Sequence, residues 1–189
     1  LARWQKISPA YKDMIVSVNI SGKHLMHGDL IADVEHALEM SKLSPSSLKL
    51  EITESVAMEN ADHTINVLNR LKQLGVQLSI DDFGTGYSSL SYLKRFPIQT
   101  LKIDRSFVRD IVSDKNDHTI VAAIIAMAHS LEIEVIAEGI ETAEQLQLLM
   151  AQRCNHYQGY YFSRPVPVSQ IENMLKKSVT TVNKMHAVG

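Results

Sequence analysis

Acidic and amide side chains recur where short apolar runs end. The run at 14–20 closes on Asn19 and Ser21. The run at 48–52 holds Glu51 and leads into Thr53 and Glu54. Residues 76–80 are followed by Asp81 and Asp82, 100–103 carries Lys102 and stops at Asp104, and 134–137 leads to Glu138 and Glu141. Carboxylates crowded together repel, and partial burial raises their pKa values, so a cluster of this kind needs cations to neutralise it. The donors offered, Asn19, Glu51, Asp81, Asp82 and Glu138, are all oxygens. The eight histidines and the single cysteine, Cys154, fall elsewhere. Oxygen-only ligation selects hard cations, which predicts Mg²⁺ or Mn²⁺ ahead of zinc.

The pair Asp81–Asp82 narrows the chemistry. Successive strand residues point to opposite faces, so both acids reach one site only where the strand is ending. One of them can then bridge two cations about 4 Å apart while the other completes one of them, an arrangement that polarises phosphate and activates water at neutral pH. Lys102 sits inside an apolar strand, where a lysine is costly unless paired. It can orient a nucleophilic water, stabilise phosphate charge, or act as a base if its pKa is lowered; the competing reading is a structural ion pair with Asp104 or a nearby glutamate. The stretch Asp81-Asp82-Phe83-Gly84-Thr85-Gly86-Tyr87-Ser88-Ser89 reads as a loop between strand and helix. Its glycines allow positive φ and close approach of backbone to ligand, and Ser88 or Ser89 can cap the helix that follows.

The elements that must position these residues alternate. Apolar runs at 14–20, 48–52, 76–80, 100–103, 134–137 and 159–162 predict strands, and helical spacing at 29–40, 61–74, 88–95, 119–131 and 143–150 predicts helices between them. Gly75 predicts the stop of the second helix, and Thr142 with Gln145 predicts a capping box for the last. Residues 119–131 are apolar on most sides, which predicts deep burial. Strand–helix alternation with near-continuous apolar strands means a parallel sheet covered by helices. No glycine-rich phosphate loop follows the first strand, which counts against a dinucleotide-binding sheet. Acids at successive strand ends favour a barrel, whose strand ends converge on one mouth.

Composition sets the outer bounds. The 189 residues have a formal net charge of −2 and 45% hydrophobic residues, enough for one domain with a sizeable core. No block of like charge marks a nucleic-acid polymer or an anionic membrane as partner. The longest apolar run, 120–128, is far short of the ~20 residues that a spanning helix needs. One thiol makes no internal disulfide or cysteine zinc cluster and fits a cytoplasmic setting. Residues 178–189 lack apolar periodicity and are expected to form a loose tail after a domain at 1–177.

Taken together, the motifs around Asn19, Glu51-Ile-Thr-Glu54-Ser, Asp81-Asp82-Phe-Gly-Thr-Gly-Tyr-Ser-Ser-Leu, Leu-Lys102-Ile-Asp104-Arg-Ser-Phe, Ala-Glu138-Gly-Ile-Glu141-Thr and Gln158-Gly-Tyr-Tyr-Phe resemble bacterial EAL domains, in the family's order. The resemblance implies a (β/α)₈ TIM-type barrel, of which about six of eight units are present. It implies hydrolysis of cyclic di-GMP to linear pGpG. Asn19, Glu51 and Asp81 would bind one metal; Asp81 would bridge to a second, completed by Asp82 and Glu138. Lys102 would hold or deprotonate the attacking water, Glu54 would anchor the loop carrying Phe83, Gly84, Thr85 and Gly86, Gln158 would line the site, and Asp104 and Glu141 would support it. It also implies a homodimer, with 119–131 as a candidate contact, and a parent protein that carries sensory or GGDEF modules and is membrane-anchored in some cases. The family's Glu-Ala-Leu strand, with a metal-binding Glu and a phosphate-contacting Arg, has no counterpart in this sequence. The expectation is therefore that these residues alone are inactive unless that part is supplied. The competing functions are a non-catalytic cyclic di-GMP receptor or interaction scaffold, and an enolase-type barrel with a lysine base and Mg²⁺.

Overall fold

The computed structural model describes residues 1–86 and 90–175. Six parallel strands form one sheet in sequential order: β1 Val16–Asn19, β2 Leu48–Thr53, β3 Gln77–Phe83, β4 Thr100–Ile103, β5 Glu134–Ala137 and β6 His156–Tyr157. Parallel neighbours need a crossover, and every crossover here is helical. α1 Ala2–Ile7 precedes β1; α2 Gly22–His27 and α3 Leu30–Ser41 lead to β2; α4 Glu54–Glu59 and α5 Ala61–Gln73 lead to β3. α6 Leu90–Leu93 leads to β4, α7 Arg105–Arg109 and α8 Lys115–Ser130 to β5, and α9 Ala143–Ala151 to β6. A further helical segment occupies 168–175. Strand order that never reverses is the order of consecutive units in a (β/α)₈ barrel, not of a doubly wound sheet. Among the described residues β1 pairs only with β2 and β6 only with β5, so the sheet is an open half-barrel.

The strands carry two alternating sets of side chains, as the pleat requires. Leu50, Ile52, Leu78, Ile80, Leu101, Ile103, Val135 and Ala137 are all buried in the hydrophobic core. The alternate residues are polar yet still buried: Lys49, Glu51, Ser79, Asp81, Thr100 and Lys102. Register brings them side by side, with Glu51 opposite Ser79, Ser79 opposite Thr100, and Thr53 opposite Asp81. One face of the sheet is thus an apolar layer for the helices, and the other is a polar interior that leads to the site.

Helix starts follow local chemistry. Asp29, Asn60, Asp114 and Thr142 each accept a hydrogen bond from a backbone N–H of the helix they cap, at α3, α5, α8 and α9. Such a cap contributes about 1 kcal/mol. The capping box of Thr142 and Gln145 is present, and Gly75 follows α5 with φ 89°.

Four expectations are corrected. The sixth strand is His156–Tyr157, not 159–162. Its residues are polar enough to hide it, and the chain turns at Gly159, where a Cβ would lie 2.1 Å from the Ile140 carbonyl oxygen. β3 does not end at Ile80 but runs to Phe83 through a register shift between Ile80 and Phe83. α8 begins four residues before the expected start because Asp114 caps it, and it buries only one face: Val121, Ile124, Ile125 and Ala128. The short helices α2, α4 and α7 fall in stretches too brief to show a period. Residues 87–89, with their expected helix cap, and 178–189, the expected tail, lie outside the described residues.

Candidate metal centre

Lys102 is the centre of the polar interior. Its ammonium donates to Glu51 at 2.9 Å, Asp81 at 3.0 Å and Glu138 at 2.7 Å, with the lysine side chain only 5% exposed. These carboxylates come from β2, β3 and the end of β5, so β4 delivers the lysine between strands on both sides. Asp104 is not its partner. Burial alone would lower the lysine's pKa, but hydrogen bonds to Glu138 and Glu51 outweigh it and hold the ammonium above its ordinary value.

The acids beside it are crowded. Asp81, Asp82 and Glu138 each offer a carboxylate oxygen, all within 4.8 Å of one another. Both aspartates reach the same point because Asp82 has φ 53°, in the left-handed region, at the irregularity of β3. The expected end of the strand is thus replaced by a local reversal of backbone hand, a conformation costly for a residue with a Cβ. Burial, then the Asp81 and Asp104 charges, push the Asp82 carboxyl above its usual range. Burial likewise raises Glu138, despite the opposing pull of Lys102. Charged oxygens that destabilise one another in this way, with no nitrogen or sulfur donor, fit a hard divalent cation.

The other expected residues lie around this group. Asn19 ends β1, opposite Glu51 in the register, and is exposed. Glu54 is buried at the start of α4, and its carboxylate accepts from the Gly84 N–H at 2.8 Å. Gly86 also lies against that carboxylate, where a Cβ would come within 3.0 Å of it. Phe83 is buried, whereas Gly84, Thr85 and Gly86 are exposed; the Thr85 hydroxyl donates to the Asp82 carbonyl. Gln158 follows β6 and is exposed. Asp104 caps α7, and hydrogen bonds from Ser106 and Arg105 outweigh its burial to hold it below its usual pKa. Asp104 and Glu141 share the wall of a polar cavity of about 440 Å³ with Arg105, Ser106 and Arg109.

Two features of the interior escape the reading by motif. Lys49 is a second buried lysine, donating to the Thr100 hydroxyl at 3.0 Å, and burial lowers its pKa. Ser79, between these strands, has a buried hydroxyl with no hydrogen-bond partner. The signal for both was the period of two: Lys49 stands two residues before Glu51, and Ser79 two before Asp81.

An open run of consecutive βα units with a carboxylate cluster at its strand ends is part of a (β/α) barrel with a candidate divalent-metal centre. The chain belongs to the EAL domain family, which it matches over residues 1–165. It is 50% identical over 161 residues to the cyclic di-GMP phosphodiesterase NbdA of Pseudomonas aeruginosa, covering 85% of this chain and 21% of that protein. Among solved structures it resembles a cyclic di-GMP complex of the MucR phosphodiesterase of Pseudomonas aeruginosa, with a TM-score of 0.86 and 44% identity over 90% of this chain and 68% of that one. It also resembles a manganese and cyclic di-GMP complex of Klebsiella pneumoniae BlrP1, with a TM-score of 0.75 and 33% identity over 87% of this chain and 45% of that one. The chain spans about a fifth of the length of the curated relatives it matches. Among the described residues no helix is long and apolar enough to cross a membrane.

Proposed function

We propose that this domain hydrolyses cyclic di-GMP to linear pGpG as part of an EAL phosphodiesterase. The observation that carries the proposal is the meeting of Asp81, Asp82 and Glu138 within 4.8 Å, with the Lys102 ammonium against Glu51, Asp81 and Glu138. The relatives named for this activity and the complexes with cyclic di-GMP support the choice of substrate.

Two divalent cations, Mg²⁺ or Mn²⁺, supply positive charge for the phosphate and lower the pKa of water when bound. Asn19, Glu51 and Asp81 would hold one, and Asp81, Asp82 and Glu138 would hold the other. Lys102 keeps Glu51, Asp81 and Glu138 at a fixed spacing through its three N–H groups, and it would face the attacking water or a phosphate oxygen where a bound cation takes one of these carboxylates from it. Water oxygen bonds to phosphorus and gives up a proton, one P–O bond to a ribose oxygen breaks, and that oxygen takes up a proton in its place, so the two proton transfers cancel. Glu54 holds the Phe83–Gly86 loop over the site through Gly84, Gln158 lines the approach, and Asp104 and Glu141 support the loops. A homodimer through the uncovered side of α8, a cytoplasmic setting and GGDEF or sensory modules in the same protein complete the reading.

The test is product analysis of a protein that joins these residues to a Glu-Ala-Leu strand, with cyclic di-GMP and Mn²⁺ or Mg²⁺. Linear pGpG is expected. Tight binding of the dinucleotide without turnover would identify a receptor, and indifference to it would point to another barrel chemistry.

A further inference from the structure

We propose that Gln145 is a positioning residue for the metal centre, its buried amide clamping the loop that carries Glu138 and Glu141 onto α7. A capping box needs two bonds here, Gln145 N–H to the Thr142 hydroxyl at 3.2 Å and Thr142 N–H to the Gln145 amide oxygen at 3.0 Å. Gln145 makes two more. Its oxygen also accepts from the Glu141 N–H at 2.7 Å, and its nitrogen donates to the Arg109 carbonyl, the last of α7, at 3.0 Å. The residue is 5% exposed, so these bonds are not exchanged with water.

α7 is the piece on which both acidic loops rest. Gly139, with φ 75°, lies so close that a Cβ would sit 2.5 Å from the Arg105 Cβ. Gly84, with φ 100°, lies against Phe107, where a Cβ would be 2.8 Å from the ring. The Glu138 N–H donates to Ile103, just before α7. One turn of helix thus sets the spacing between Asp81–Asp82 on one side and Glu138 on the other, and Gln145 fixes it in place. Side chains that hold ligand-bearing segments in this way change metal affinity by about 10–100-fold when lost.

The inference rests on the proposed reading of the acids as cation ligands. Gln145→Glu separates its two roles: a carboxylate still accepts from Glu141 and Thr142 but cannot donate to Arg109. In the full chain, Mn²⁺ titration by calorimetry below the variant's melting transition should show this variant binding about tenfold or more weakly, with a lowered melting temperature because its buried carboxylate faces the Arg109 carbonyl. A pure helix cap would leave Mn²⁺ affinity unchanged, and that result overturns the inference while leaving the metal site standing. Wild type that takes up no Mn²⁺ would remove both. If Gln145→Glu lacks a native melting transition, Gln145→Met is read instead, which keeps the side-chain volume and loses the clamp, beside Thr142→Ala, which removes the cap bond from the Gln145 N–H and keeps wild-type affinity. The same loss is expected of Gln145→Met, and wild-type affinity in that variant overturns the inference.

Discussion

Lys102 and its three carboxylates show how a buried charge is tolerated only by reciprocity. Removing one partner from such a network leaves uncompensated charge and costs about 3–5 kcal/mol. Lys102→Met should therefore destabilise the metal-free chain by about that amount, with Mn²⁺ restoring part of the loss, as paired thermal melts would show. The raised lysine pKa also predicts a pH dependence. The stability gained from the ammonium is fully present below the unfolded lysine value, about 10.4, and is lost as pH rises through the folded value. Melting temperature of the wild type, but not of Lys102→Met, should fall in that alkaline range. At this scale residue types at strand ends were legible but not how they meet. Lys102 was legible as a lysine in need of carboxylates; its partners are Glu51 on β2, Asp81 on β3 and Glu138 just after β5, glutamates among them as the ion-pair reading allowed, and not Asp104. The φ of 53° at Asp82 left no mark in residue type, because a strained backbone is imposed by its surroundings.

Among the elements, the loop after β3 is held by one carboxylate on the preceding strand–helix unit. Glu54→Ala frees the Gly84 N–H and should reduce turnover about tenfold or more, while Mn²⁺ affinity changes less; steady-state kinetics beside calorimetry measure the two. Strands β4 and β5 were readable to the residue because apolar side chains fill them. β6 was not, since its two residues are polar and partly exposed and the more apolar 159–162 follows at once. α8 looked deeply buried because 119–131 is apolar on most sides, but its small residues include exposed alanines, and its buried residues form one four-residue stripe. Short α7 carried no periodic signal at all, although both acidic loops pack on it.

For the molecule as a whole, sequential parallel order follows from strand–helix repetition, and this was legible because each unit repeats one pattern. The polar interior was legible only in part: acids at strand ends stand out, while Lys49, Ser79 and Thr100 look ordinary until the register lines them up. A cation that binds the folded site and not the unfolded chain raises global stability by mass action, about 2.7 kcal/mol at a hundred times its dissociation constant. Mn²⁺ should accordingly raise the melting temperature in a concentration-dependent way, and Asp81→Asn should remove most of that rise.

The most direct measurement of the central claim is turnover of cyclic di-GMP by these residues joined to a Glu-Ala-Leu strand, as wild type and as Asp81→Asn, in Mn²⁺, with the product identified by mass. The account predicts linear pGpG from the wild type and background release from the variant, since Asp81 belongs both to the carboxylate group and to the Lys102 network. Equal turnover by the folded variant, or a wild type that binds Mn²⁺ and cyclic di-GMP without cleaving it, would contradict the claim.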